Sequence, residues 1–245
     1  MLLWQQENLY YLTPFPPNPD YLLLTSYIRE NRSAKACLFS LIDRLCVGLE
    51  REVASSLNAT QVHWLNEQSW LAFYELEPFL VEKVDLYSDD TELVLNDWII
   101  YSVAQMPDSP DLLVVAQPNE QSKLPQENIG FYSLNIDSLT LSAEIYPAPM
   151  LDGARIDFSP DGKYIMFGRR YNDQSTLQFI NYQTWEVIFE MPGASLEWLP
   201  DSNNLVGKVF NAENHYGSFV RVNPVTGDIQ TLFAADETLY FMVIQ

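Results

Sequence analysis

The sequence predicts an all-β protein, a β-propeller of about five four-stranded blades, on three observations. Short segments of alternating apolar residues fill most of the chain, and helical periodicity is nearly absent. In the clearest hairpin, two such segments flank Ser159-Pro160-Asp161-Gly162. There Pro160 presets φ, Asp161 can bond its own backbone, and Gly162 tolerates a positive φ. Turn markers of the same kind then recur: Asp20, Glu67, Asp111, Asp161 and Asp201 are spaced by 47, 44, 50 and 40 residues. A period of roughly 40–50 residues with four strands per repeat marks propeller blades. A β-sandwich also has many short strands, but it would not repeat one turn at the same place in successive four-strand units.

The elements follow in order. Strands are expected at 9–15 and 21–26, then a cysteine-bearing hairpin over 36–50. The second unit has strands at 61–65, 70–74, 81–87 and 92–95. The third runs from Trp98 through 112–116 and 130–136 to a single strand over 139–146. The fourth is the Ser159 hairpin followed by 176–182 and 185–190; the fifth comprises 195–199, 205–210, 218–223 and 229–233. The whole, 1–245, reads as a single propeller domain with blades near 8–50, 60–95, 97–146, 154–190 and 194–233. A last apolar strand, 238–244, could complete a blade with Leu2-Leu3-Trp4, closing a five-unit ring. Alternatively it opens a sixth blade, which would make the chain a fragment of a six- or seven-bladed propeller.

Phe158-Ser-Pro-Asp-Gly-Lys-Tyr-Ile-Met-Phe167, with Leu177-Gln-Phe-Ile-Asn181 and Trp185-Glu-Val-Ile-Phe189, resembles the WD40-like (PD40-type) repeat of the TolB propeller group. Trp198-Leu-Pro-Asp201 and Phe219-Val-Arg-Val-Asn-Pro-Val-Thr-Gly-Asp228 are similarly close. Pro19-Asp20-Tyr21 and Pro110-Asp111-Leu112 lack the glycine, and Asn66-Glu67-Gln68 lacks the proline too, so the match is motif-specific from about Arg155 onward. The resemblance implies a blade fold and a surface for partners. It carries over no catalytic residue.

Charge narrows the partners. A net charge of −20 repels nucleic acid and anionic lipid. No apolar run approaches the roughly 20 residues of a membrane helix. A monomer with no membrane insertion is expected. Cys37 and Cys46 are the only cysteines. They face each other if the hairpin turn centres on Leu41-Ile42 and do not if it centres on Asp43-Arg44. A bridge would place the protein in the cell envelope or outside the cell. Free thiols, with no signal peptide at Met1-Leu2-Leu3-Trp4, would place it in the cytoplasm.

Motifs for chemistry are sparse. There is no Gly-x-Ser-x-Gly elbow, no phosphate-cradling glycine loop, and no Cys-x-x-Cys or His-Glu-x-x-His, so neither cofactor nor metal is expected. His63, beside Trp64, reads as packing or as lining of a central channel. Asp157 and Glu197 occupy matching places in units four and five and could face that channel. This keeps open a carbohydrate-binding or glycoside-hydrolase propeller as the alternative, since such enzymes need paired carboxylates. The main expectation is a non-enzymatic scaffold for a protein or peptide. Loops at 29–35, 75–80, 117–128, 169–175 and 211–217 are the longest and share one rim. On them Arg169, Arg170 and Tyr171, with His215 and Tyr216, form the candidate binding patch, because adjacent arginines can clamp a carboxylate.

Overall fold

Twenty-one strands in five antiparallel sheets make up the regular structure of the described residues. The computed structural model describes residues 9–14, 20–28, 33–53, 59–66, 69–74, 81–85, 91–119, 129–148, 152–171, 174–192, 194–200, 202–210 and 217–235. In four sheets the strands pair in chain order as a meander, and the remaining one follows the same path with one extra short strand beside it, the blade architecture of a β-propeller. The closing strand expected at 238–244 and its partner Leu2-Leu3-Trp4 lie outside the described residues. The chain falls into two compact units, Met1–Ile100 with Asp137–Leu139, and Tyr101–Ile136 with Thr140–Gln245.

In the first unit, β1 (Leu9–Pro14), β2 (Tyr21–Ile28), β3 (Ser33–Ser40) and β4 (Leu45–Val53) form one sheet. β5 (Ala59–Trp64), β6 (Ser69–Tyr74), β7 (Val81–Asp85) and β8 (Thr91–Val94) form the next. Trp64 and Trp70 pair directly across β5 and β6, with ring centroids 5.2 Å apart. Leu71, Ala72 and Phe73 are successive yet all buried, so both faces of β6 are covered. In the cysteine hairpin Ser40 pairs with Leu45, and the turn therefore centres on Ile42-Asp43, between the two centres expected. Ser40 Oγ donates to Asp43 Oδ2 and accepts from the Asp43 amide, both at 3.0 Å, which fixes that turn. Cys46 stands opposite Phe39 and is disulfide-bonded; the chain's other cysteine, Cys37, lies beside a bulge between Ala36 and Leu38. In this register Cys37 is diagonal to Cys46 rather than directly opposite it.

The third sheet comprises β9 (Trp98–Gln105), β10 (Leu112–Pro118), β11 (Gly130–Asn135), β12 (Thr140–Leu141) and β13 (Tyr146–Pro147). The single outer strand expected over 139–146 is thus two short pieces, both paired to β11. The run breaks at Ser142: its amide still donates to the Ser133 carbonyl, but its Oγ accepts from the Ser133 amide and donates to the Ala143 carbonyl. β14 (Asp152–Phe158), β15 (Tyr164–Tyr171), β16 (Gln174–Asn181) and β17 (Val187–Pro192) form the fourth sheet. The fifth holds β18 (Ala194–Trp198), β19 (Leu205–Phe210), β20 (Gly217–Asn223) and β21 (Asp228–Ala235).

Alternation explains how the fourth sheet is held. Ile156, Ile165, Phe167 and Ile180 pack with Leu113, Val115, Ile129 and Phe131 of the third sheet. The intervening residues Met166, Leu177 and Phe179 pack with Leu196, Trp198, Leu205 and Val222 of the fifth. A sheet buried on both faces needs the unbroken apolar run Ile165-Met166-Phe167, and neither face could be covered by its own repeat. At the Ser159 turn, Gly162 has φ +70° and donates its amide to the Ser159 carbonyl. A Cβ there would stand 2.6 Å from Pro107 Cβ, so this turn needs glycine for space as well as conformation.

Turns from third to fourth strand form a second, less visible repeat. Arg44, Leu139, Trp185 and Gly227 have φ of 59°, 51°, 58° and 77° at the same place in sheets one, three, four and five. Trp185, expected as the first residue of a strand, instead ends such a turn, its amide 2.7 Å from the Asn181 carbonyl. Asn181 Oδ1 accepts from the Gln183 and Thr184 amides, and Asn223 Oδ1 from those of Val225 and Thr226. These asparagine-capped turns hold the following residue in the left-handed region.

Candidate functional site

The first strands of the fourth and fifth sheets bring three ionic side chains together. Asp157 pairs with Met166 in β14 and Glu197 with Val206 in β18, equivalent places in successive repeats. Arg155 lies two residues before Asp157 on the same strand, where period-2 alternation gives both the same face. Its Nη2 is 2.7 Å from Glu197 Oε2 and 4.0 Å from Asp157 Oδ2. One guanidinium nitrogen therefore approaches both carboxylates. Burial pushes the Asp157 carboxyl above its ordinary value of 3.8; Glu197 adds to this, and Arg155 and the Phe158 amide oppose it. Since 38% of the Asp157 side-chain surface still meets solvent, the effect on stability is modest.

Hydrogen bonds tie the same strands to their neighbours. Ser102 Oγ on β9 accepts from the Ile156 amide at 3.2 Å in a buried setting, joining the third sheet to the fourth. The fourth is joined to the fifth again at Asp161, whose Oδ2 accepts from Asn203 Nδ2 at 2.8 Å. Asp161 Oδ1 accepts from Ser159 Oγ at 2.8 Å and from the Lys163 amide at 3.1 Å. Burial alone would raise the Asp161 carboxyl, but the bonds from Asn203, Ser159 and Lys163 outweigh it and hold it well below the usual carboxylate range. Nearby, the Trp185 ring stacks on Tyr146 at 5.4 Å and meets Phe131 at 5.3 Å and Tyr182 at 5.8 Å.

The other residues singled out from the sequence fall elsewhere. Arg169, Arg170 and Tyr171 are not on a long loop. They are the last three residues of β15, paired with Thr176, Ser175 and Gln174 of β16. The arginines thus occupy consecutive positions of a paired strand, because the ladder continues almost to the hairpin tip. His215 and Tyr216 lie outside the described residues. His63 is half-buried on β5, and burial lowers its imidazole from 6.5, so it is uncharged at neutral pH. Among the described residues no group of three or more His, Cys, Asp or Glu could hold a metal ion. Arg155, Ser102 and Asn203 were not singled out from the sequence. The signal available was the spacing Arg155-x-Asp157, which puts opposite charges on one strand face.

No family model matches the chain, and no curated protein sequence matches it. Solved structures do. TolB from Acinetobacter baumannii superposes with a TM-score of 0.56 at 12% identity, over 94% of this chain and 55% of that one. A chain of the mitotic checkpoint complex gives 0.58 at 10% identity, over 96% of this chain and 69% of that one. An oligogalacturonate lyase in complex with manganese gives 0.56 at 15% identity, over 95% of this chain and 66% of that one. The chain spans about half the length of that TolB. At these identities the likeness shows the β-propeller fold alone.

Proposed function

We propose that this chain is a non-enzymatic propeller that serves as a rigid platform for a protein or peptide. One observation carries the reading: the first-strand groups able to do chemistry brace neighbouring sheets. Arg155 is bonded to Glu197, and Ser102 to the Ile156 amide. Side chains engaged in this way fix a scaffold and leave recognition to its rims. The Arg169-Arg170 hairpin end, with Tyr171, His215 and Tyr216 beside it in the sequence reading, is the proposed contact for an acidic group of the partner. The Cys46 disulfide supports a setting in the cell envelope or outside the cell, where such bonds persist. Chemical cross-linking of the purified chain in cell extract, read by mass spectrometry, tests the platform. A discrete partner cross-linked to the wild type and lost from an Arg169→Glu/Arg170→Glu variant is the expected result. Identical cross-links in both proteins, or none in either, would overturn it.

Asp157 favours a second reading, a carbohydrate-directed propeller. A carboxyl that keeps its proton above the ordinary range beside a second acid is the arrangement sugar chemistry uses. On an oligosaccharide array, binding that Asp157→Asn and Glu197→Gln both abolish supports this reading. A blank array removes it.

A further inference from the structure

Tyr146, Phe158, Tyr182 and Trp185 are half-buried rings packed on the core shared by the third and fourth sheets. Phe158 meets Tyr182 edge to face at 5.1 Å, and Trp185 stacks on Tyr146. Tyr182 and Trp185 lie 5.8 Å apart at 67°, so they make a corner rather than a stack. Each keeps part of its surface in solvent. The fifth sheet builds the equivalent turn with Gly227, so the fold itself does not demand a ring at this place. A bulky residue held at φ 58° is a strained choice, of the kind that persists at ligand clamps.

An uncommitted acid stands beside this corner. The turn between β9 and β10 packs on the Ser159 turn through Pro107 and Gly162, and the Lys163 carbonyl accepts the Tyr182 amide at 2.9 Å. Asp108, which follows Pro107, is thereby brought near Tyr182. Burial raises the Tyr182 phenol above its ordinary 10.0, and the charge of Asp108 raises it further. Asp108 is exposed. Among the described residues it has no hydrogen bond or ion pair, and the Tyr182 hydroxyl has no hydrogen bond. Nearby charges are engaged: Lys163 lies 3.0 Å from Asp161, and Glu186 accepts from Thr184 Oγ1 at 3.4 Å. A free carboxylate and a free phenol oxygen beside aromatic surface suit a flat cation. Guanidinium is always charged, has five N–H donors, and sheds water to stack on rings more readily than ammonium does. We propose that Asp108, Tyr182 and Trp185 form a binding site for an arginine side chain of a partner protein. The guanidinium lies against the rings and donates to the Asp108 carboxylate and the Tyr182 oxygen. The inference rests on the platform reading and adds a basic contact to the acidic one proposed at Arg169-Arg170.

Titration of the full chain with the capped tripeptide Gly-Arg-Gly in physiological salt, followed by saturation-transfer NMR of the peptide, tests the proposal. The wild type is expected to bind it saturably. The analogue with citrulline for arginine, which keeps the shape and loses the charge, should bind at least about tenfold more weakly. Asp108→Asn should weaken binding at least about fivefold. Asp228→Asn, which removes an equal charge from the fifth-sheet turn, should leave it unchanged. Tyr182→Leu should also weaken it at least about fivefold, through loss of the ring; should that variant fail to fold, the other arms decide. No saturable binding by the wild type, equal binding of the citrulline peptide, or equal weakening by Asp108→Asn and Asp228→Asn overturns the site. The Arg169→Glu/Arg170→Glu cross-linking result stands apart from it and decides the platform reading separately.

Discussion

Residues 181–186 of the fourth sheet and 223–228 of the fifth are the same turn made from different side chains. Each begins with an asparagine whose carbonyl oxygen takes two backbone amides, and each has a threonine whose hydroxyl faces an acid, Glu186 or Asp228. They part at the left-handed residue. The fifth sheet uses Gly227, for which that conformation costs little, and the fourth uses Trp185, for which it costs about 1–2 kcal/mol. The tryptophan is tolerated because its ring lies among Tyr146, Phe131 and Tyr182. Packing outweighs backbone preference in one blade, and backbone preference prevails in the next. The first strands differ in the same spirit: Glu197 is ion-paired to Arg155, whereas its counterpart Asp157 is held 4.0 Å from that guanidinium and disfavours its charge.

The largest break in this comparison is Trp185→Gly. It relieves the left-handed strain but removes a half-buried ring, for a net loss of about 2–3 kcal/mol. A fall in the urea midpoint is expected, and an unchanged or raised midpoint would show that the ring does not hold the turn. Gly227→Ala tests the other side. The nearest atom to a new Cβ is Phe189 Cε2 at 3.8 Å, so space is available and conformational strain of about 1 kcal/mol remains. Stability equal to the wild type would mean the fifth-sheet turn had never required glycine.

Asp157→Asn has the smallest effect and the opposite sign. Because folding raises this carboxyl above 3.8, its contribution is fully present below that pH and lost as pH rises through the folded value. The carboxylate therefore weakens the fold at neutral pH, and asparagine should raise the melting temperature slightly at pH 7. The gain should vanish below about pH 3.8. A loss at pH 7 would mean that attraction to Arg155 dominates burial.

How much of this was legible in the sequence depends on where the determining contacts lie. The Ser159 hairpin was legible because Pro160, Asp161 and Gly162 act on their own backbone within four residues. The equivalence of Asp157 and Glu197 followed from the repeat. The guanidinium between them did not, since Arg155 reaches Glu197 across 42 residues. Trp185 and Leu139 concealed the second turn repeat, because side chains that look strand-forming occupy left-handed positions. Asn181 and Asn223, each three residues before a threonine, were the signal that could have exposed it. The sequence places the arginine pair on a long loop, whereas β15 carries its ladder through both residues.

Leu112, Leu113, Val114, Val115 and Ala116 are each wholly shielded, so β10 has no wet side. Opening this strand would expose apolar side chains from both its faces at once. The broken outer pieces β12 and β13, two residues each and partly exposed, open at less cost.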